Sequence, residues 1–154
     1  MEFEIRKEYP PNIDEIRKVF DLGDRDVLFA WGITLYNPKG NAVPPHLMVH
    51  EKVHQMQQRE VGVEKWWDRY LKDKDFRLNQ EVEAYAYQYQ FVKKEVNART
   101  AKTFLFALAS DLASPVYGNM IQYGRAESLI RNFRPSYAKD KSGEESKETS
   151  LSKE

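Results

Sequence analysis

The sequence predicts an α+β domain, a small antiparallel sheet packed beside a mostly helical body. Three observations predict it. Two segments before residue 36 alternate in side-chain character with period two. From residue 45 onward apolar residues recur at three- and four-residue spacing. Proline and glycine mark the boundaries between these stretches.

Phe3 to Tyr9 alternates charge and apolarity and reads as a short strand, stopped by Pro10-Pro11. Asn12, with Glu15 three residues on, forms a capping-box-like start for a helix to Phe20, striped by Ile13, Ile16 and Phe20. Gly23 to Asp26 is a loop. Val27 to Leu35 reads as one strand with two unlike faces. Val27, Phe29, Trp31, Ile33 and Leu35 make a bulky face for the core. Leu28, Ala30, Gly32 and Thr34 make a mostly small one, suited to the close approach of a backbone or ligand. Asn37-Pro38-Lys39-Gly40 is a turn.

Pro44-Pro45 precedes a helix from Pro45 to Glu60, with Val49, Val53 and Met56 as its apolar face. After Gly62, a short helix over 64–71 turns Trp66, Trp67 and Tyr70 inward. A charged loop follows at Asp73–Asp75, then a long helix over 79–96. Another helix spans 100–113, with Phe104, Leu105, Leu108 and Leu112 as core positions. It ends at Ser114-Pro115. A last helix covers 125–133. Residues 1–138 are expected to form one domain, and the Lys-, Glu- and Ser-rich 139–154 a disordered tail.

Bulk composition excludes several functions. A chain of 154 residues can bury a core without covalent staples. It has no cysteine, so a metal has only His, Asp or Glu to bind. With 24 basic and 24 acidic residues there is no basic surplus for phosphates, and no nucleic-acid partner is expected. No stretch is apolar enough for a membrane span, and Met1 to Tyr9 has no signal-peptide character. A cytoplasmic location is expected.

The chemistry concentrates at His50-Glu51-Lys52-Val53-His54. Four residues apart on a helix, His50 and His54 share a face and can grip one ion. Zinc suits imidazole donors. Glu51, at the adjacent edge, can reach a water on that ion without binding it, as a general base must. His46 lies one turn earlier and reads as a cap or surface residue rather than a ligand. No His follows position 54, so a third ligand must be acidic or upstream. Glu81 and Glu83 are candidates, roughly 200° apart around their helix, so that only one can face the ion.

The pattern His-Glu-x-x-His followed by a helix carrying Glu-x-Glu-Ala resembles the gluzincin clan of zinc metallopeptidases. The short chain is similar to its minimal, minigluzincin-like members. Trp31-Gly32, Trp66-Trp67 and Ser114-Pro115-Val116-Tyr117-Gly118 resemble small phage-encoded proteins of this type, for which a virion-associated location would also be expected. The resemblance implies Zn2+ held by His50, His54 and Glu83, with Glu51 as general base. It implies a peptide or protein substrate. It also implies a strand before the motif helix, here Val27–Leu35, to which a peptide adds by backbone pairing. A tyrosine, Tyr117 or Tyr123, is the expected oxyanion donor, and Tyr87 an expected partner to a ligand. The alternative expectation is a non-catalytic zinc-binding regulatory or protein-interaction module that keeps the same fold.

Overall fold

A computed structural model describes residues 2–134; the predicted tail at 139–154 lies outside them. The α+β class holds, with three short strands and six α-helices among the described residues. Strands β1 (Glu4–Arg6), β2 (Phe29–Trp31) and β3 (Thr34–Tyr36) form one sheet in the order β1-β3-β2. The sheet is mixed rather than antiparallel. β2 and β3 form a hairpin, but β1 pairs parallel to β3, with Ile5 opposite Leu35, because helix α1 (Ile13–Val19) and β2 intervene as a crossover.

The single strand expected over Val27–Leu35 is thus two strands. Gly32 sits at the bend with φ 61°, a conformation that costs residues with a Cβ, and the alternation stops there. Ile33 at the tip is 55% exposed instead of facing the core. At α1, Asn12 precedes the helix but its side chain makes no capping bond, because its backbone does not adopt the extended cap conformation.

The motif helix α2 (Pro45–Val61) begins with Pro at its first turn, as expected. Its buried face is mostly polar: Val53 is buried as expected, but so are His50, Glu51, His54, Gln55, Gln57 and Gln58, whereas Met56 is exposed. Burying amides is tolerable only when each is hydrogen-bonded, and these are placed against partners described below. Helix α3 (Val63–Lys72) buries Trp66, Trp67 and Tyr70 as its spacing predicts. Helix α4 (Lys74–Lys93) starts five residues earlier than the predicted 79. Asp73, expected in a loop, is its N-cap and accepts from the Phe76 amide at 3.1 Å. Asn97 caps α5 (Ala98–Leu112) in the same way, and a 3₁₀ turn at Pro115–Tyr117 leads toward α6 (Tyr123–Asn132).

Two apolar clusters result. One joins α4, α5 and α6 around Leu105, Leu112 and Ile130. The other joins α1, β2 and α3 around Ile16, Phe29 and Trp66. The polar face of α2 lies at the seam. His50 packs against Tyr85 of the first cluster, 4.5 Å between ring centres, and His54 against Trp66 of the second, 5.2 Å. No helix among the described residues is long and apolar enough to cross a membrane.

Candidate metal centre

His50 and His54 project from successive turns of α2 toward α4. There they meet Glu81, not Glu83. His50 Nε2 lies 3.2 Å from Glu81 Oε1, and His54 Nε2 lies 3.3 Å from Glu81 Oε2. The three residues present nitrogen and oxygen atoms within 4.8 Å of one another, and all three are buried. The expectation that placed Glu83 here is corrected by helix rotation. The face of α4 that meets α2 carries Glu81, Tyr85 and Gln88, spaced four and three apart and all buried. Glu83 points aside and accepts from Gln57 Nε2 at 2.8 Å.

Each imidazole is held by its other nitrogen. His50 Nδ1 lies 2.9 Å from Gln88 Oε1, and His54 Nδ1 lies 2.8 Å from Gln57 Oε1. An amide oxygen only accepts, so both Nδ1 atoms carry the proton. In the neutral imidazoles that leaves the Nε2 lone pairs directed toward a common point beside Glu81. The amide orientations are fixed in turn. Gln57 Nε2 donates to Gln80 O and to Glu83, and Gln88 Nε2 donates to His46 Nδ1 at 2.9 Å. His46 and Glu83 therefore end two relays behind the imidazoles. Such partners orient metal ligands and set their basicity. Tyr70 donates its hydroxyl to Glu81 Oε2 at 2.5 Å, a short charge-assisted bond.

The electrostatics follow from this packing. Burial alone would raise the Glu81 carboxyl, but the two imidazoles hold it well below the usual carboxylate range. Burial alone would lower His54, yet the Glu81 carboxylate carries it up to about 9. Glu51 is buried, and loss of water pushes its carboxyl up, against the pull of His50 and His54. No hydrogen bond to a described residue holds the Glu51 carboxylate, and it lines a cavity of about 290 Å³ with His50, His54 and Glu81.

Tyr117 lines the same cavity and shares a 2.8 Å hydrogen bond with the Tyr85 hydroxyl. Burial and the charge of Glu81 keep Tyr70, Tyr85 and Tyr117 protonated far above the usual phenol range. Only one hydroxyl of the Tyr85–Tyr117 pair donates to the other, so the pair retains one O–H for the cavity. Tyr123 is 43% exposed and does not line the cavity. Tyr87 lines a separate surface groove with Val49 and Phe91.

The expected peptide-pairing edge is largely occupied. β2 is an edge strand, but Ala30 O accepts from Gln58 Nε2 at 2.8 Å and from Trp67 Nε1 at 3.0 Å. Gly32 N donates to Gln58 Oε1, and Gly32 O accepts from Gln55 Nε2. The small face thus lets α2 and α3 side chains reach the strand rather than a peptide.

Sequence reasoning missed Gln57, Gln88, Tyr70 and Tyr85, and also Arg77. Arg77 is buried and donates to the carbonyls of Tyr70, Leu71 and Tyr117, tying α3 to the 3₁₀ turn. No sequence signal singles these residues out, because the buried stripe Glu81, Ala84, Tyr85 and Gln88 is fixed by how α4 packs. Comparison of the chain with protein-family models, curated proteins and solved structures finds no match.

Proposed function

We propose that this chain is a zinc-dependent metallopeptidase, a gluzincin-like hydrolase of peptide bonds. In this reading His50, His54 and Glu81 hold the metal and Glu51 is the general base. The observation that carries the reading is the convergence of two imidazole Nε2 atoms and one carboxylate, with both Nδ1 atoms already occupied by amides. Three protein donors fit a zinc ion that keeps one position open for chemistry. A buried carboxylate between two imidazoles, with an N–H on each far side, has the donor chemistry such an ion requires.

A zinc ion there supplies a Lewis acid that polarises a carbonyl and acidifies water. The protein's own groups do the rest. Glu51, with no hydrogen-bonded partner among the described residues and its carboxyl raised by burial, takes a proton from the attacking water and returns it to the leaving amine. The free O–H of the Tyr85–Tyr117 pair serves as the donor to the developing oxyanion. The same two-His-one-carboxylate set also binds ferrous iron. The acid directly after the first histidine favours hydrolysis, since a metal-binding role alone does not require it.

A second reading, a non-catalytic zinc module, draws on one observation: His50, His54 and Glu81 are 4%, 5% and 2% exposed, which restricts access to the ion. The experiment is Glu51→Gln against the wild type in a peptide-library cleavage assay, with metal content measured on both. The peptidase reading expects equal zinc and loss of cleavage in the variant. Stoichiometric zinc with no wild-type cleavage would favour the module.

A further inference from the structure

Asp111 stands on the wall of the same cavity as His50 and Glu51, in the last turn of α5. The other charged groups lining that cavity are engaged or assigned. Glu81 is taken by the imidazoles and Tyr70. Arg25 donates to Asp21 O, and Asp26 accepts from Asn41. Glu51 is assigned to proton transfer. Asp111, an exposed residue, shares with Glu51 the lack of a side-chain hydrogen bond or ion pair with a described residue, and of the two it is the one without a role. Its carboxylate meets solvent on one side and the cavity on the other; partial loss of water pushes the carboxyl up, opposed by the imidazole of His50.

The position is also unfavourable for an acid. A helix ends on the negative pole of its dipole, where cations are preferred, and the last turn of α5 has no basic residue. A carboxylate there adds to the negative potential instead of offsetting it. Along the strand edge, Gln55, Gln58 and Trp67 occupy Ala30 O and both backbone groups of Gly32, which weakens that edge as a template for an extended peptide. A charge on the cavity wall is then a means of recognition that does not need the strand edge.

We propose that Asp111 selects short substrates bearing a positive charge, an amine or guanidinium, beside the group processed at His50 and His54. The selection rests on reading this cavity as a substrate site, but not on hydrolysis taking place there. Arg25, the one arginine of a lining that holds no lysine, bonds its guanidinium to the Asp21 carbonyl and makes no ion pair with Asp111, which leaves that carboxylate available to a substrate cation.

The test is binding to zinc-loaded Glu51→Gln protein, followed through the fluorescence of Trp66 and Trp67 on the cavity wall. The probes are dipeptide amides of equal length: an acetylated lysyl peptide, a norleucyl peptide with a free amine, and an acetylated norleucyl peptide. At least one cationic probe is expected to bind fivefold or more tightly than the neutral one, with the difference shrinking in 1 M salt. Which cationic probe wins tells a side-chain charge from a terminal amine. Asp111→Asn is expected to bring all three within twofold, with melting behaviour unchanged, and Asp111→Lys to reverse the order. Equal binding by the parent protein, a preference that survives Asp111→Asn, or binding of none of the probes would overturn the proposal. Charge-selective binding without wild-type cleavage would retain Asp111 and sink hydrolysis; cleavage without charge preference would do the opposite.

Discussion

The carboxamide oxygen of Gln88 lies 2.9 Å from His50 Nδ1, and the same side chain's nitrogen lies 2.9 Å from His46 Nδ1. Gln57 does the same for His54, anchored on Glu83. These amides fix which nitrogen of each imidazole is free. Gln88→Leu and Gln57→Leu are each expected to weaken zinc binding about 10- to 100-fold, as loss of a ligand's orienting partner does. Chelator competition measures this. Unchanged affinity in both variants would show that the amides only fill space.

Glu81 and Glu83 separate cleanly by experiment. Glu81→Gln removes the one carboxylate that meets both imidazoles and is expected to abolish stoichiometric metal retention. Glu83→Gln leaves the donors in place and is expected to retain the metal, with at most the modest loss of an outer partner. Elemental analysis after dialysis against weak chelator distinguishes them. The reverse result would reinstate Glu83 as the ligand.

The metal-free protein should lose stability as pH rises above neutrality. Folded His54 holds its proton up to about 9, against 6.5 for an ordinary imidazole. That contribution is full below pH 6.5 and is lost as pH rises through 9. Glu81 is held below its ordinary 4.5, so its contribution is present above that value and fades as pH falls. Scanning calorimetry in chelator is expected to show the highest melting temperature between pH 4.5 and 6.5 and a decline from 6.5 to 9. A metal ligand must shed its proton, so zinc affinity is expected to rise over that same upper interval. A flat melting profile in the metal-free protein would contradict the pairing of His54 with Glu81.

Arg77 holds three carbonyls from inside the fold. Its guanidinium also lies over the Phe20 ring, 4.9 Å from the centroid. Arg77→Met leaves those carbonyls without their donor and is expected to cost about 3 kcal/mol of stability. Denaturant unfolding checks it, and a loss within about 0.5 kcal/mol, the level of an ordinary surface change, would contradict it.

Much of this architecture is legible in the sequence, and the exceptions have physical causes. The motif helix is announced by Pro44-Pro45 and by the His spacing. The inward aromatics of α3 follow from their helical spacing. The hairpin at Gly32 is not legible because a glycine inside an alternating run fits a strand and a turn equally until its φ is known. The start of α4 is hidden because Asp73 to Asp75 has a loop's composition, while Asp73 is a cap. The choice of Glu81 over Glu83 depends on how α4 is rotated against α2, which tertiary packing sets. The buried glutamines are hidden for a related reason: an amide belongs in the interior only once its partner is there.

The most direct test of the metal assignment is a crystal grown with zinc and measured at the zinc absorption edge. One anomalous peak is expected about 2.0–2.2 Å from His50 Nε2, His54 Nε2 and a carboxylate oxygen of Glu81. A peak coordinated by Glu83, or no peak between α2 and α4, would contradict it.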